Sequence, residues 1–104
     1  MTTPDYKSIA SNLDFEGRAF IDGKYVDAID GQRFENINPA TGDTLCYVAK
    51  CNYKDADLAV KASRKAFESG IWSRNSPEFR KDVLINFANL LRQYGEENSV
   101  LECV

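Results

Sequence analysis

The chain has 104 residues, of which 28% are charged and 43% hydrophobic, and its formal net charge is -3. We expect one domain from this length, because typical domains hold about 100–150 residues around one core. The 13 Lys and Arg residues are outnumbered by 16 Asp and Glu residues, so there is no basic excess. The composition therefore argues against nucleic acid as a partner, since such binding depends on neutralising phosphates.

Hydropathy and cysteine usage predict a cytoplasmic location. No stretch approaches the roughly 18 consecutive apolar residues that a membrane helix needs, so we expect no membrane partner. Met1 to Ser11 lack the apolar segment of a secretory signal. The three cysteines are odd in number and irregularly spaced, which argues against a secreted disulfide framework.

Residues 1–18 are predicted to form an N-terminal arm that contains one short helix. Thr3 is suited to cap the helix and Pro4 to occupy its first position, with Asp5 as an early acid. The apolar residues Ile9, Ala10 and Leu13 follow at helical spacing. Residues 19–104 then form the rest of the chain.

Two β-hairpins are predicted to follow the arm. Asp22-Gly23 joins two short β-prone runs and tolerates the positive φ angles of a two-residue turn. A second turn at Asp30-Gly31 leads into residues 33–37, where broken period-two phase indicates a bulge or a strand end. Residues 38–43 supply the next turn and residues 44–48 the returning strand.

Two or three helices are predicted after the hairpins. The first has Asn52 or Tyr53 as its cap and Gly70 as its stop. Ser76-Pro77 opens the second, which Gly95 ends or kinks, and residues 96–104 resume a helical pattern that stops without a cap. At 100° per residue, the apolar set of the second helix covers about 160°, wider than one neighbour can cover. Its members are Val83, Leu84, Phe87, Ala88, Leu90, Leu91 and Tyr94, with Ile85 beyond the arc.

Catalytic chemistry has few candidate residues in this sequence. There is no histidine, which excludes Cys-His and Ser-His-Asp catalysis. Cys46 and Cys51 lack the further ligands of a zinc site, and Cys103 lies beside Glu102, whose charge raises a thiol pKa. The acidic residues at helix starts are interpreted as partners of the helix dipole or as solvated faces; they are Asp55, Asp57, Glu96 and Glu97. The glycines form no G-x-G-x-x-G or Walker loop, and each is assigned a turn or cap role.

The order of several short motifs carries a family resemblance. They are Phe20-Ile21-Asp22-Gly23-Lys24-Tyr25-Val26, then Phe34 to Gly42 with Asn38-Pro39-Ala40-Thr41-Gly42, then Asp55 to Val60 with Ala66-Phe67, then Trp72-Ser73, and finally Ser76-Pro77-Glu78-Phe79-Arg80. Residues 19–104 resemble the N-terminal part of the NAD(P)-dependent aldehyde dehydrogenase superfamily. The arm is most similar to the γ-glutamyl-γ-aminobutyraldehyde dehydrogenase branch. The resemblance implies an α/β fold in the parent family, of which this chain is an incomplete part.

The resemblance also implies a reaction, the oxidation of an aldehyde to a carboxylic acid with NAD(P). In the family a thiolate attacks the carbonyl, hydride passes to the nicotinamide, and a glutamate-activated water releases the acid. None of the three cysteines matches the family's nucleophile, and the phosphate-binding turn has no counterpart here. Asn36 and Ile37 lie where some members offer carbonyls to a structural cation, but the resemblance places the carboxylate partner after Val104, so no such site is assigned. We therefore assign this chain no catalytic, cofactor-binding or metal-ligating residue, and expect it alone to bind no cofactor and to be inactive.

Three functional hypotheses follow from these observations. The first is a truncated or partial oxidoreductase that works only with the remainder of a dehydrogenase chain. The second is a small stand-alone α+β protein-interaction module derived from that segment. The third, an independent thiol enzyme, would need a cysteine of low pKa. The apolar face of residues 83–94 is the expected contact surface, either with the remainder of the dehydrogenase chain or by self-association.

Overall fold

A computed structural model describes residues 3–104 of the chain. Within them lie four helices and two separate antiparallel strand pairs. In chain order the elements are α1 (Tyr6–Ser11), β1 (Ala19–Ile21), β2 (Lys24–Val26), β3 (Arg33–Ile37), β4 (Thr44–Ala49), α2 (Tyr53–Ser69), α3 (Pro77–Gln93) and α4 (Gly95–Cys103). The prediction of two hairpins followed by two or three helices is confirmed, with three helices present.

The described residues group into two compact units. One holds residues 15–75, with both hairpins and α2, and the other holds residues up to 14 together with 76–104. The predicted boundary between an arm, 1–18, and the rest, 19–104, stays a prediction, and its first two residues lie outside the described part.

In the 15–75 unit, the first hairpin has the predicted two-residue turn. Asp22 and Gly23 have φ angles of 54° and 75°, the left-handed values that a tight hairpin turn of this kind requires. The strands pair in register, with Phe20 opposite Tyr25. These two rings meet edge to face with centroids 5.1 Å apart, which stabilises the short strand pair.

The second hairpin contains the predicted irregularity. β3 pairs with β4 from Arg33 opposite Ala49 onward, and the register shifts between Asn36 and Ile37. Asn36 pairs with Cys46 and Ile37 with Thr44, so the extra residue is Leu45 of β4, and the bulge lies on the partner strand of β3.

Gly17 has a different role from the turn or cap predicted for it. Its carbonyl accepts a hydrogen bond from the Ala49 N–H at 2.7 Å, so the chain before β1 runs along β4. A Cβ at position 17 would collide with the carbonyl oxygen of Tyr47 and lie 3.0 Å from its carbonyl carbon. The glycine is therefore required by close backbone approach and not by a turn.

Helix α2 begins and ends where the sequence indicates. Asn52 is the N-cap and its side chain accepts a hydrogen bond from the Lys54 N–H at 2.9 Å. The helix stops at Gly70, whose φ of 71° is the left-handed conformation that glycine adopts without strain. Both boundaries thus follow from local sequence.

In the other unit, the cap of α1 is not the predicted residue. Asp5, not Thr3, is the N-cap, and its side chain accepts a hydrogen bond from the Ser8 N–H at 3.2 Å. Pro4 therefore precedes the helix. For α3 the prediction is confirmed, with Ser76 as the cap that accepts from the Phe79 N–H and Pro77 at the first position.

The expected single core is much smaller than the length suggested. Among residues 3–104, the buried hydrophobic residues are Ala28 and Val100, at 5% and 7% exposure. They lie in different units, Ala28 before the Asp30-Gly31 turn and Val100 in α4. Hydrogen bonds and short turns therefore carry a large share of the local structure in this chain.

Candidate functional site

The buried charged group of the 15–75 unit is the side chain of Asp55 in the first turn of α2. It is 3% exposed. One carboxylate oxygen accepts a hydrogen bond from the Ile29 N–H at 2.9 Å, and the other accepts from the Asn52 N–H at 3.0 Å. The carboxylate therefore joins the linker between β2 and β3 to the start of α2, and we call this arrangement the Asp55 clamp.

A second carboxylate, that of Asp30, strengthens the same junction from the exposed side. It accepts a hydrogen bond from the Asn52 side-chain amide at 2.6 Å and pairs with the Lys54 ammonium at 3.0 Å. The bonds from Lys54 and then from Asn52 hold the pKa of Asp30 below its ordinary value. The linker is thus bound by side chains from the first residues of the helix.

The Asp55 clamp is suited to positioning and not to proton transfer. Both carboxylate oxygens already accept main-chain N–H groups, so a substrate proton would have to displace one of these bonds. The sequence correctly placed Asp55 at the positive end of the helix dipole. It missed the burial and the bond to Ile29, because that partner lies 26 residues away and no local pattern signals it.

The other acidic residues singled out from the sequence lie on exposed surface. Asp57 follows Asp55 in α2, and Glu96 and Glu97 occupy the first turn of α4. This agrees with their interpretation as solvated or dipole-stabilising groups.

The three cysteines are free thiols at three separate places. Cys46 is partly buried in β4, Cys51 precedes α2, and Cys103 ends α4. Desolvation raises the pKa of the Cys51 thiol above its ordinary value, and the charge of Asp55 and a hydrogen bond to it act in the same direction. A raised pKa reduces the thiolate fraction, which is the opposite of what a nucleophilic cysteine needs.

Metal and cofactor groups find no matching side chains in the part of the chain that the structure describes. Within residues 3–104 no three His, Cys, Asp or Glu side chains come together as a metal site. Phosphates often bind at helix N-termini, but α2, α3 and α4 carry Asp55, Glu78 and Glu96 with Glu97 in their first turns. These acids disfavour a pyrophosphate at the N-termini of these three helices.

The apolar side chains of α3 are well exposed. No residue of this helix is buried. The exposed fraction is 59% for Leu84, 57% for Phe87 and 48% for Leu91, high values for such side chains. The apolar residues between Val83 and Tyr94, which we call the α3 apolar face, are the surface that the sequence analysis expected to contact another protein surface. Separately, none of the described helices is both long and apolar enough to span a bilayer.

Comparison with known proteins defines the class. A profile of the aldehyde dehydrogenase family matches residues 25–104. The chain therefore belongs to the aldehyde dehydrogenase family, as the order of its motifs indicated.

Individual relatives support the same assignment. The chain is 44% identical over 98 residues to aldehyde dehydrogenase 1 of Tanacetum cinerariifolium, covering 94% of this chain and 19% of that protein. It is 42% identical over 102 residues to aminoacetaldehyde dehydrogenase of Pseudomonas aeruginosa, covering 98% of this chain and 21% of that protein. The chain thus spans about a fifth of the length of these two relatives.

Solved structures agree in fold. The indole-3-acetaldehyde dehydrogenase of P. syringae, solved with NAD+ and IAA, superposes with a TM-score of 0.90 and 48% identity, covering 94% of this chain and 20% of that one. A γ-glutamyl-γ-aminobutyraldehyde dehydrogenase from Burkholderia cenocepacia gives a TM-score of 0.89 and 43% identity, over 94% of this chain and 20% of that one. The strand pairs and helices described above are therefore a part of the α/β fold of these enzymes.

Proposed function

We propose that this chain is the N-terminal structural part of an oxidoreductase that oxidises an aldehyde to a carboxylic acid with NAD(P) in the cytoplasm. The observation that carries the proposal is the match of 94% of the chain, at 48% identity and a TM-score of 0.90, to a solved dehydrogenase with NAD+ bound. The matched segment is 20% of that enzyme, so most of the enzyme has no counterpart among these 104 residues.

The chain on its own is proposed to be catalytically silent and to bind no NAD(P). Cys51 has a raised pKa, and Cys46 is partly buried within a strand. The acidic first turns of the three long helices disfavour a pyrophosphate. The proposed role of this chain is therefore structural. Within it, the Asp55 clamp fixes how the linker between β2 and β3 meets α2.

A segment exchange tests both parts of this proposal. The matched 94% of the chain replaces the corresponding segment of the P. syringae enzyme, and NADH formation with indole-3-acetaldehyde is compared with that of the parent and of the chain alone. We expect the chimaera to retain activity within about tenfold of the parent, because well-matched segments preserve core geometry. The chain alone should give no NADH above a blank.

Cysteine replacements in the same chimaera supply the control. Changing Cys46, Cys51 and Cys103 to serine should leave its activity unchanged, because the nucleophile is proposed to lie outside this segment. NADH formation by the chain alone, or loss of activity in the folded triple variant, would contradict the proposal.

The α3 apolar face is proposed to be covered by other protein surface, either the remainder of a dehydrogenase chain or a second copy of this chain. Its support is the exposure of Leu84, Phe87 and Leu91, since monomers seldom leave a contiguous apolar patch above a few hundred Å² uncovered. The stand-alone interaction module, the second candidate, would instead be a complete domain that needs no such covering. A chain that stays a clean monomer and an inactive chimaera would together favour the module.

A further inference from the structure

The 15–75 unit contains two Asp-Gly dipeptides whose surroundings differ sharply. Both Asp22-Gly23 and Asp30-Gly31 lie in turns, both glycines have positive φ, and all four residues are exposed. Asp-Gly pairs are chemically vulnerable, because a glycine leaves its own main-chain nitrogen sterically open to the preceding carboxyl group. The two sites therefore form a natural matched pair.

The turn at Asp30-Gly31 is held from several directions. The Gly31 N–H donates to the Ala28 carbonyl at 2.8 Å, and Ala28 is buried. The Asp30 carboxylate is bound by Asn52 and Lys54. Attack by the Gly31 nitrogen would require breaking its own hydrogen bond and releasing the carboxylate from both partners.

The turn at Asp22-Gly23 has no such restraint within the described residues. No hydrogen bond or ion pair in that part of the chain involves the Asp22 carboxylate, and no main-chain acceptor there receives the Gly23 N–H. Open space surrounds Gly23 on the side where a Cβ would project. Lys24, Lys61 and Lys65 line the same shallow depression as Asp22 without pairing with it. The flanking strands have three residues each, so local opening of this hairpin is easy.

We propose that Asp22-Gly23 is a site of spontaneous isoaspartate formation, and that the Asp55 clamp and the bonds to Asp30 protect Asp30-Gly31 from the same reaction. The Gly23 nitrogen attacks Cγ of the protonated Asp22 carboxyl group and forms an N–Cγ bond. The Cγ–OH bond breaks, and the hydroxyl leaves with the amide proton as water, which gives a cyclic succinimide. Water then adds to either ring carbonyl: cleavage at Cγ restores aspartate, and cleavage at the main-chain carbonyl gives isoaspartate.

The experiment incubates the 104-residue chain at 37 °C and neutral pH in water enriched in heavy oxygen, and then maps its peptides by mass spectrometry. Each passage through succinimide introduces one heavy oxygen, and electron-transfer fragmentation separates isoaspartate from aspartate. We expect roughly tenfold faster reaction at Asp22 than at Asp30 in buffer, and similar rates at both sites in concentrated guanidinium, where local restraints are lost. Equal rates in buffer, or faster reaction at Asp30, would overturn the proposal.

Two variants sharpen the result. Asp22→Glu should abolish labelling at position 22, because the longer side chain cannot close the five-membered ring. Lys54→Gln should raise the rate at Asp30 severalfold and leave that at Asp22 unchanged, because it removes one of the two carboxylate partners. If Lys54→Gln leaves Asp30 as slow as before in a folded chain, the protective role assigned to the ion pair is wrong.

Discussion

The two units of the chain are stabilised in different ways. In residues 15–75, tight turns, a close glycine contact and a buried carboxylate fix the backbone through polar groups whose partners lie in the same unit. Large apolar side chains are half exposed or more in both units, for example Val60 and Phe67 of α2 and Leu84 of α3, but no residue of α3 is buried. The comparison teaches that polar contacts internal to the 15–75 unit fix its backbone, whereas the most prominent feature of α3 is its wide apolar arc. Each prediction below tests one side of this contrast.

The largest expected effect is at Gly17. Gly17→Leu should destabilise the 15–75 unit by about 2–4 kcal/mol, because any Cβ collides with the Tyr47 carbonyl and the main chain must move. The measurement is the free energy of unfolding in denaturant. The control is Gly95→Ala, where open space and a helical backbone predict a neutral or slightly stabilising change. A tolerated leucine at position 17 would show that the chain before β1 does not run along β4.

Removal of the Asp55 clamp should lower the free energy of unfolding slightly less than Gly17→Leu does. Asp55→Ala leaves the N–H groups of Ile29 and Asn52 without their acceptor, and we expect a loss of about 2–3 kcal/mol. Hydrogen exchange at the Ile29 amide should accelerate with the same variant. Asp57→Ala, two residues further along α2 and exposed, should change the free energy of unfolding by less than about 0.5 kcal/mol. Equal effects of the two substitutions would mean that the clamp stabilises nothing beyond the helix dipole.

The third-largest expected effect is at the turn of the first hairpin. Gly23→Val should cost about 1–3 kcal/mol, because a β-branched residue resists the positive φ that this position requires, although there is space for its side chain. Gly23→Asn is the matched substitution, since asparagine tolerates the left-handed conformation and should cost little. A melting temperature unchanged by valine would rule out this turn type.

The α3 apolar face is predicted to affect association more than folding. Leu84→Glu with Leu91→Glu should lower the apparent mass in light scattering and reduce binding of an apolar dye, with little change in unfolding, because both side chains are about half exposed. Asn86→Glu with Gln93→Glu adds the same charge to α3 at polar positions and should leave association unchanged. Unfolding of the leucine double variant would instead show that the face is needed inside the fold.

The smallest effect concerns the reactivity of Cys51. Its raised pKa predicts slow alkylation by iodoacetamide at neutral pH, because only the thiolate reacts and a raised pKa lowers the thiolate fraction. Asp55→Asn removes the negative charge next to the thiol and should increase the alkylation rate of Cys51 more than that of Cys103, which lies at the end of α4. Faster alkylation of Cys51 than of an unfolded cysteine peptide would reverse the expected direction.

Local chemistry made most of the fold predictable from sequence. Asp22-Gly23, the capping residues Asn52 and Ser76, and the stop at Gly70 act on their immediate neighbours, so their residue types suffice to place them. The roles of Gly17 and of the Asp55–Ile29 bond were not predictable, since each depends on a partner that is distant in sequence. The cap of α1 was misplaced because two cap-forming residues, Thr3 and Asp5, lie within three residues of each other and only geometry decides between them.

The hydrogen bond from Ile29 to Asp55 also closes a loop of the chain around the second hairpin. The ends of this loop are 26 residues apart, and the turn at residues 38–43 lies inside it. The entropic cost of closure grows only logarithmically with length, by about 0.6 kcal/mol for each doubling. A short insertion at that turn therefore weakens the closure very little, which makes the turn a suitable position for a spectroscopic label or an epitope that leaves the junction of linker and helix intact.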